Sequence, residues 1–221
     1  GIATVTLASP NYSPLLRLIP DPPPVLYARG KLELLKNRNA IAVVGTRRPT
    51  PLGKEIARRV ASHFAGLGYV IVSGLAKGID SEAHRGALAA GGHTIAVLGT
   101  PIDKIYPATN RSLAMQILER DGLLISEHAP GTKTGRHAFI RRDRIQSGLS
   151  LAVIPIQTDI KGGTMHTVRF AQAQGRLLFC PRPLDPEMSA PQLAGIKMLL
   201  ETKQAEPFDR NDYEVIHNRL Q

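Results

Sequence analysis

From Ile41 onward the chain alternates short, wholly apolar runs that end in glycine or serine with longer stretches of helical periodicity. The runs Ile41-Ala42-Val43-Val44-Gly45, Tyr69-Val70-Ile71-Val72-Ser73-Gly74 and Thr94-Ile95-Ala96-Val97-Leu98-Gly99 are followed by helical patterns near 51–66, 80–90 and 109–121. Leu123-Leu124-Ile125-Ser126 and Leu151-Ala152-Val153-Ile154 precede helical patterns near 139–147 and 164–174, and Leu177-Leu178-Phe179 closes the series. A strand apolar at every position has no solvent face, so strands of this kind separated by helices predict a mostly parallel sheet covered on both sides. The expected class is α/β, a doubly wound sheet. Residues 1–40 read as an irregular lead-in, with Pro20, Pro22, Pro23 and Pro24 ahead of a candidate strand at Val25-Leu26-Tyr27. Residues 41–181 form the expected core domain, and 182–221, where the alternation stops, a peripheral helical segment.

Composition narrows the partners. Of 221 residues, 28 are Lys or Arg and 18 Asp or Glu, a formal charge of +10 that points to a polyanion such as nucleic acid or anionic lipid. No apolar run approaches the roughly 18 residues of a spanning helix, and no signal-peptide pattern opens the chain, so neither membrane insertion nor secretion is expected. The single cysteine, Cys180, excludes an internal disulfide, lies in an apolar run and fits a reducing cytoplasm. The chain starts on Gly1 rather than Met, which leaves room for flanking domains.

In a doubly wound sheet ligands bind beyond the carboxyl ends of the strands, so four rim segments carry the candidate chemistry. Gly45-Thr46-Arg47-Arg48 joins a strand to a helix start, where backbone N–H groups and two guanidinium groups favour phosphate. Gly74-Leu75-Ala76-Lys77-Gly78-Ile79-Asp80 sets two glycines around a lysine, with Asp80 or Ser81 placed to cap the next helix. Asp80 and His84 could share a helix face, but no third ligand at suitable spacing supports a metal. Between Lys133 and Gln146 lie Lys133, Arg136, Arg141, Arg142 and Arg144; helical spacing places Arg141 and Arg144 side by side, and Phe139 offers a base-stacking surface beside them. Lys161-Gly162-Gly163-Thr164 forms a turn into a helix, a further phosphate cradle. On spacing alone, each segment is equally well read as a plain capped turn or a solvated basic face. Neither G-x-G-x-x-G at the first turn nor a Walker sequence anywhere is present, and no nucleophile elbow or H-E-x-x-H helix appears. Catalytic residues, cofactor and metal are all expected to be absent.

Taken in order, these segments resemble the DNA-processing A (DprA/Smf) family over about residues 1–181. The resemblance rests on Val43-Val44-Gly45-Thr46-Arg47, on Ser73-Gly74-Leu75-Ala76-Lys77-Gly78-Ile79-Asp80 with Ala83-His84, and on Ala96-Val97-Leu98-Gly99 with Tyr106-Pro107 and Asn110. Leu124-Ile125-Ser126-Glu127 and Phe139-Ile140-Arg141-Arg142-Asp143-Arg144 complete it. The resemblance implies an extended Rossmann-like fold, single-stranded DNA bound in a positive pocket, a homodimer, and help in loading a RecA-type recombinase on transforming DNA. It makes Arg47, Lys77, Arg141, Arg142 and Arg144 DNA-contact candidates, with Gly45, Gly74 and Gly163 shaping the pocket; Arg48, Lys133, Arg136, Phe139 and Lys161 join them on chemistry, and Thr46, Gly78, Gly99, Gly162 and Thr164 as phosphate-binding turns. The chain departs from the family at Ile140 and Asp143, where Pro and Asn are usual, and at Gly162-Gly163-Thr164, which leans toward the turn of lysine-decarboxylase-like (LOG) phosphoribohydrolases. That departure keeps open a nucleotide-like small ligand, with Glu127 or Asp80 near a glycosidic bond.

Overall fold

The computed structural model describes residues 1–183 and 190–221, so residues 184–189 of the expected C-terminal segment lie outside the described residues. The parallel core comprises β3 (Ala40–Val44), β4 (Val70–Ser73), β5 (Thr94–Leu98), β6 (Leu123–Ser126), β7 (Ala152–Pro155) and β8 (Leu177–Pro181). Between and around these run α2 (Pro51–Gly66), α3 (Ile79–Ala89), α4 (Arg111–Glu119), α5 (His137–Gly148) and α6 (Thr164–Ala173), each close to the expected range. With β1 (Ala3–Thr6), β2 (Val25–Gly30) and β9 (Glu206–Phe208) the sheet has nine strands in the order β1-β2-β6-β5-β4-β3-β7-β8-β9.

Both faces of the sheet are covered, which is why its strands carry no polar alternation. In β3, Ala40, Ala42 and Val44 pack with Ile145 of α5, Leu149 just after it, and Met165 and Val168 of α6, while Ile41 and Val43 turn to Val60 and Phe64 of α2 and Ile79 of α3. The first layer is extended by α1 (Pro14–Arg17) and α7 (Ala194–Glu201), and the second by α8 (Tyr213–Leu220). A third cluster, with Leu113 and Ile117 of α4 against Ala96, Leu98 and Leu124, covers the far end.

Both terminal segments are more than appendages. The lead-in adds β1 and β2 as antiparallel strands beyond β6, and the C-terminal segment adds β9, parallel to β8. The C-terminal segment, expected as helical, carries the helices α7 and α8 and in addition this edge strand. Glu206-Pro207-Phe208 has no apolar run to betray it, and proline is tolerated there because the strand lies at the sheet edge. The lead-in is pinned by the buried Tyr12 hydroxyl, which donates to Pro23 O at 2.8 Å.

Strand β3 is where the chain reverses direction across the sheet: β4, β5 and β6 follow on one side, and β7 and β8 on the other. The crevice at the carboxyl ends of β3 and β7 is thus the position at which an open α/β sheet offers a binding site.

Candidate nucleic-acid interface

An open cavity of about 380 Å³ occupies that crevice. One wall is the β3–α2 turn, Gly45-Thr46-Arg47-Arg48, and the opposite wall is the turn after β7, from Thr158 and Asp159 to Gly162-Gly163-Thr164. Helix α5 supplies Phe139, Arg142, Asp143 and Gln146, and the start of α3 supplies Asp80.

Of the helices that begin at the rim, α2 is capped by a side chain, and α3 and α6 are not. Thr50 caps α2, its hydroxyl accepting from Gly53 N at 3.0 Å with Pro51 in the first turn. Gln157, at the end of β7, ties the walls together: its carbonyl accepts from Thr46 N at 2.8 Å and its side chain exchanges hydrogen bonds with Thr50. Helix α6 starts after Gly163 with no side-chain cap; the N–H groups of Met165 and His166 turn back on Gly162 O and Gly163 O at 3.0 Å, and the positive end of the helix dipole borders the cavity. Arg47 and Arg48 are exposed opposite, and no carboxylate among the described residues lies within ion-pair distance of either.

The glycines act behind this surface. A Cβ on Gly45 would press on the Ile79 side chain at 2.5 Å, and one on Gly78, whose φ is +81°, would overlap Thr46 O. A Cβ on Gly74 would overlap the Arg142 guanidinium, and one on Gly99 would come within 2.6 Å of the Phe139 ring. Gly74, Gly78 and Gly99 therefore let the strand ends approach other elements and do not themselves line the cavity.

Arg141 and Arg144 lie side by side, both turned toward Asp21 and Glu127, but they differ in availability. The Arg141 side chain is 63% exposed, whereas that of Arg144 is 4% exposed. Arg144 binds Glu127 through two hydrogen bonds of 2.6 and 2.9 Å and donates from Nε to Asp21 O at 2.9 Å, so it anchors the lead-in and has no donor face left for DNA. Arg142 does reach the cavity, but it is buried, donates to Val97 O and lies 3.2 Å from Asp143. Lys77, Lys133, Arg136 and Lys161 are exposed on the surrounding surface without lining the cavity. Glu127, a candidate for glycosidic chemistry, is held by Arg144 and does not line it either.

Asp80, expected as a helix cap, does something else. It is buried on the cavity wall and accepts from Ala76 N at 3.3 Å, while Ser81 donates to Ala76 O; neither side chain caps α3. Burial pushes the Asp80 carboxyl up, against the pull of Arg142. Burial also raises Asp143, to about 7, with Asp80 adding to the rise and Arg142 and Arg47 opposing it. His84 faces away from the cavity, bonded to Thr94 Oγ1 at 2.7 Å. Gln146 and Gln157 went unnoticed in the sequence; their only signal was polarity within otherwise core-facing segments.

The sequence and the fold are shared with known proteins. Residues 3–219 match the family model described as DNA recombination-mediator protein A. The chain is 43% identical over 178 residues to protein Smf of Synechocystis sp., covering 79% of this chain and 44% of that protein. It is 41% identical over 179 residues to DNA processing protein DprA of Bacillus subtilis, covering 81% of this chain and 60% of that protein. The chain thus spans about half the length of these relatives. Among solved structures it superposes on DNA processing protein A of Helicobacter pylori, described for its single-stranded DNA binding mode, with a TM-score of 0.86 and 32% identity, covering 99% of this chain and 96% of that one.

Proposed function

The chain belongs to the DNA recombination-mediator protein A family, and on that premise we propose that it is a non-catalytic binder of single-stranded DNA whose strand crosses the crevice between β3 and β7. The observation that carries this is the meeting of the uncapped α6 terminus, the unpaired Arg47 and Arg48 and the half-buried Phe139 around one cavity. Phosphates rest on the arginines and the helix start, and an unstacked base meets Phe139, the combination that single strands reward and duplexes cannot use. Lys77, Lys133, Arg136, Arg141 and Lys161 extend the positive field along the strand's approach. Family resemblance extends the reading to a homodimer acting with a RecA-type recombinase on incoming DNA in the cytoplasm.

The test is an anisotropy titration of labelled oligo-dT and matched duplex over a range of salt. The expected result is a preference for the single strand, with log K falling against log salt by about 0.7 per phosphate contacted. Replacing Arg47 and Arg48 together with Ala flattens that slope by about 1.4 if each meets one phosphate. Equal affinity of parent and variant at matched salt overturns the assignment.

A further inference from the structure

Beside the buried Arg142, whose Nε has no hydrogen-bond partner, the inner wall of the cavity carries a group of acceptors. Gln146 is 2% exposed, lines the cavity, and donates from Nε2 to Asp143 Oδ1 at 2.9 Å. That bond fixes the amide's orientation and leaves Gln146 Oε1 buried with no partner. A buried acceptor in this state is destabilising unless something supplies a donor. On Asp143, the contacts of Gln146 and Arg142 both fall on Oδ1, and no hydrogen bond among the described residues reaches Oδ2. Asp80, beside them, already accepts from Ala76 N. The rim therefore suits phosphate, and the Asp143–Gln146 side of the interior suits a group that donates.

A single strand carries both chemistries. Of the four bases, guanine alone has two neighbouring N–H donors, N1–H and the N2 amino group, on its pairing edge; thymine offers one N–H between two carbonyls, which a carboxylate repels. Resting on the reading of the crevice as a single-strand site, we propose that the cavity takes in one base and selects guanine, whose adjacent N–H donors meet Asp143 and Gln146 while its ring lies against Phe139. Asp143 and Gln146 are then specificity-determining residues. An amide in place of Asp143, with a donor as well as an acceptor, would not impose this choice.

The charge state of Asp143 links the choice to pH. The groups facing it are Arg142 and Gln146 on its own helix, Asp80 from α3 and Arg47 from the β3–α2 turn, with Asp159 and His166 on the opposite wall of the cavity. With its carboxyl near 7, only the ionised form offers two acceptors, so the preference for guanine strengthens from pH 6 to pH 8.

The experiment measures the unaltered protein against three oligonucleotides, all-thymine, the same with one central guanine, and the same with inosine, which lacks the N2 amino group. The expected order is guanine above inosine above thymine, with about tenfold between the first and last, within the range of a bidentate base contact. In Asp143→Asn the guanine-to-thymine ratio falls to about one. Equal affinity for all three oligonucleotides overturns base selection while leaving single-strand binding intact; a guanine preference that inosine retains in full overturns the paired-donor contact. Failure to bind any of the three sinks the single-strand reading and this inference with it.

Discussion

Replacing Arg144 with Ala is expected to damage the fold, although its place in a run of arginines suggests a surface residue. Its side chain is 4% exposed, and Glu127 opposite is 17% exposed. The substitution removes two charge-assisted hydrogen bonds to Glu127, leaves Asp21 O without this donor and takes a second donor from Arg141 O. Its ion pair with the Asp21 carboxylate, which is 68% exposed, contributes little because water screens it. Removing one partner of a buried pair costs about 3–5 kcal/mol, chiefly because the remaining charge stays buried. At about 2–4 °C per kcal/mol for a chain of this size, the melting temperature should fall by on the order of 10 °C. Arg141→Ala serves as the control: its contacts to Asp21 and Glu127 are 3.9 Å long and its side chain is 63% exposed, so the melt should stay within about 2 °C. Adding Glu127→Gln to Arg144→Ala should recover part of the loss by neutralising the stranded carboxylate. Thermal melts followed by circular dichroism decide the matter. If Arg144→Ala melts with the parent and instead loses single-strand affinity, the buried pair is not formed and Arg144 belongs to the DNA surface.

Three further outcomes are expected. Gly74→Ala places a methyl group on the Arg142 guanidinium, and overpacking of this kind should cost about 1–3 kcal/mol in a denaturant melt; an unchanged midpoint would mean that Arg142 moves freely. His84, held neutral by burial down to about 3, has a folded value below its ordinary 6.5, so its contribution to stability is complete above 6.5 and is lost as pH falls toward 3; NMR should show its ring unprotonated at pH 5, and a titration midpoint near 6 would refute the burial. Cys180 is fully buried with its thiol pushed well up, so a thiol reagent should label it only as fast as the protein opens, and immediate labelling of native protein would contradict the packing of β8.

What the sequence determined by itself was the sheet and its rim. Runs such as Ile41–Val44 and Ile95–Leu98 are apolar at every position because both faces are covered, and that pattern is local and therefore readable. The turns at Gly45, Gly74 and Gly162 are equally local, since a chain leaving a strand for a helix needs those residue types in a fixed order. What only the tertiary structure decided is which side chains of one helix turn inward and what they meet there. Arg141, Arg142 and Arg144 look alike in sequence, yet one faces solvent, one borders the cavity, and one is locked to Glu127 and Asp21, residues 17 and 123 positions away. In the same way Gln146 reads as an ordinary polar position on α5, and Asp143 as an added acid, until β3, α3 and the turn after β7 close around them. Charge on a helix is written in the chain, but its availability depends on desolvation and on partners that arrive from distant elements, and neither has a local signature.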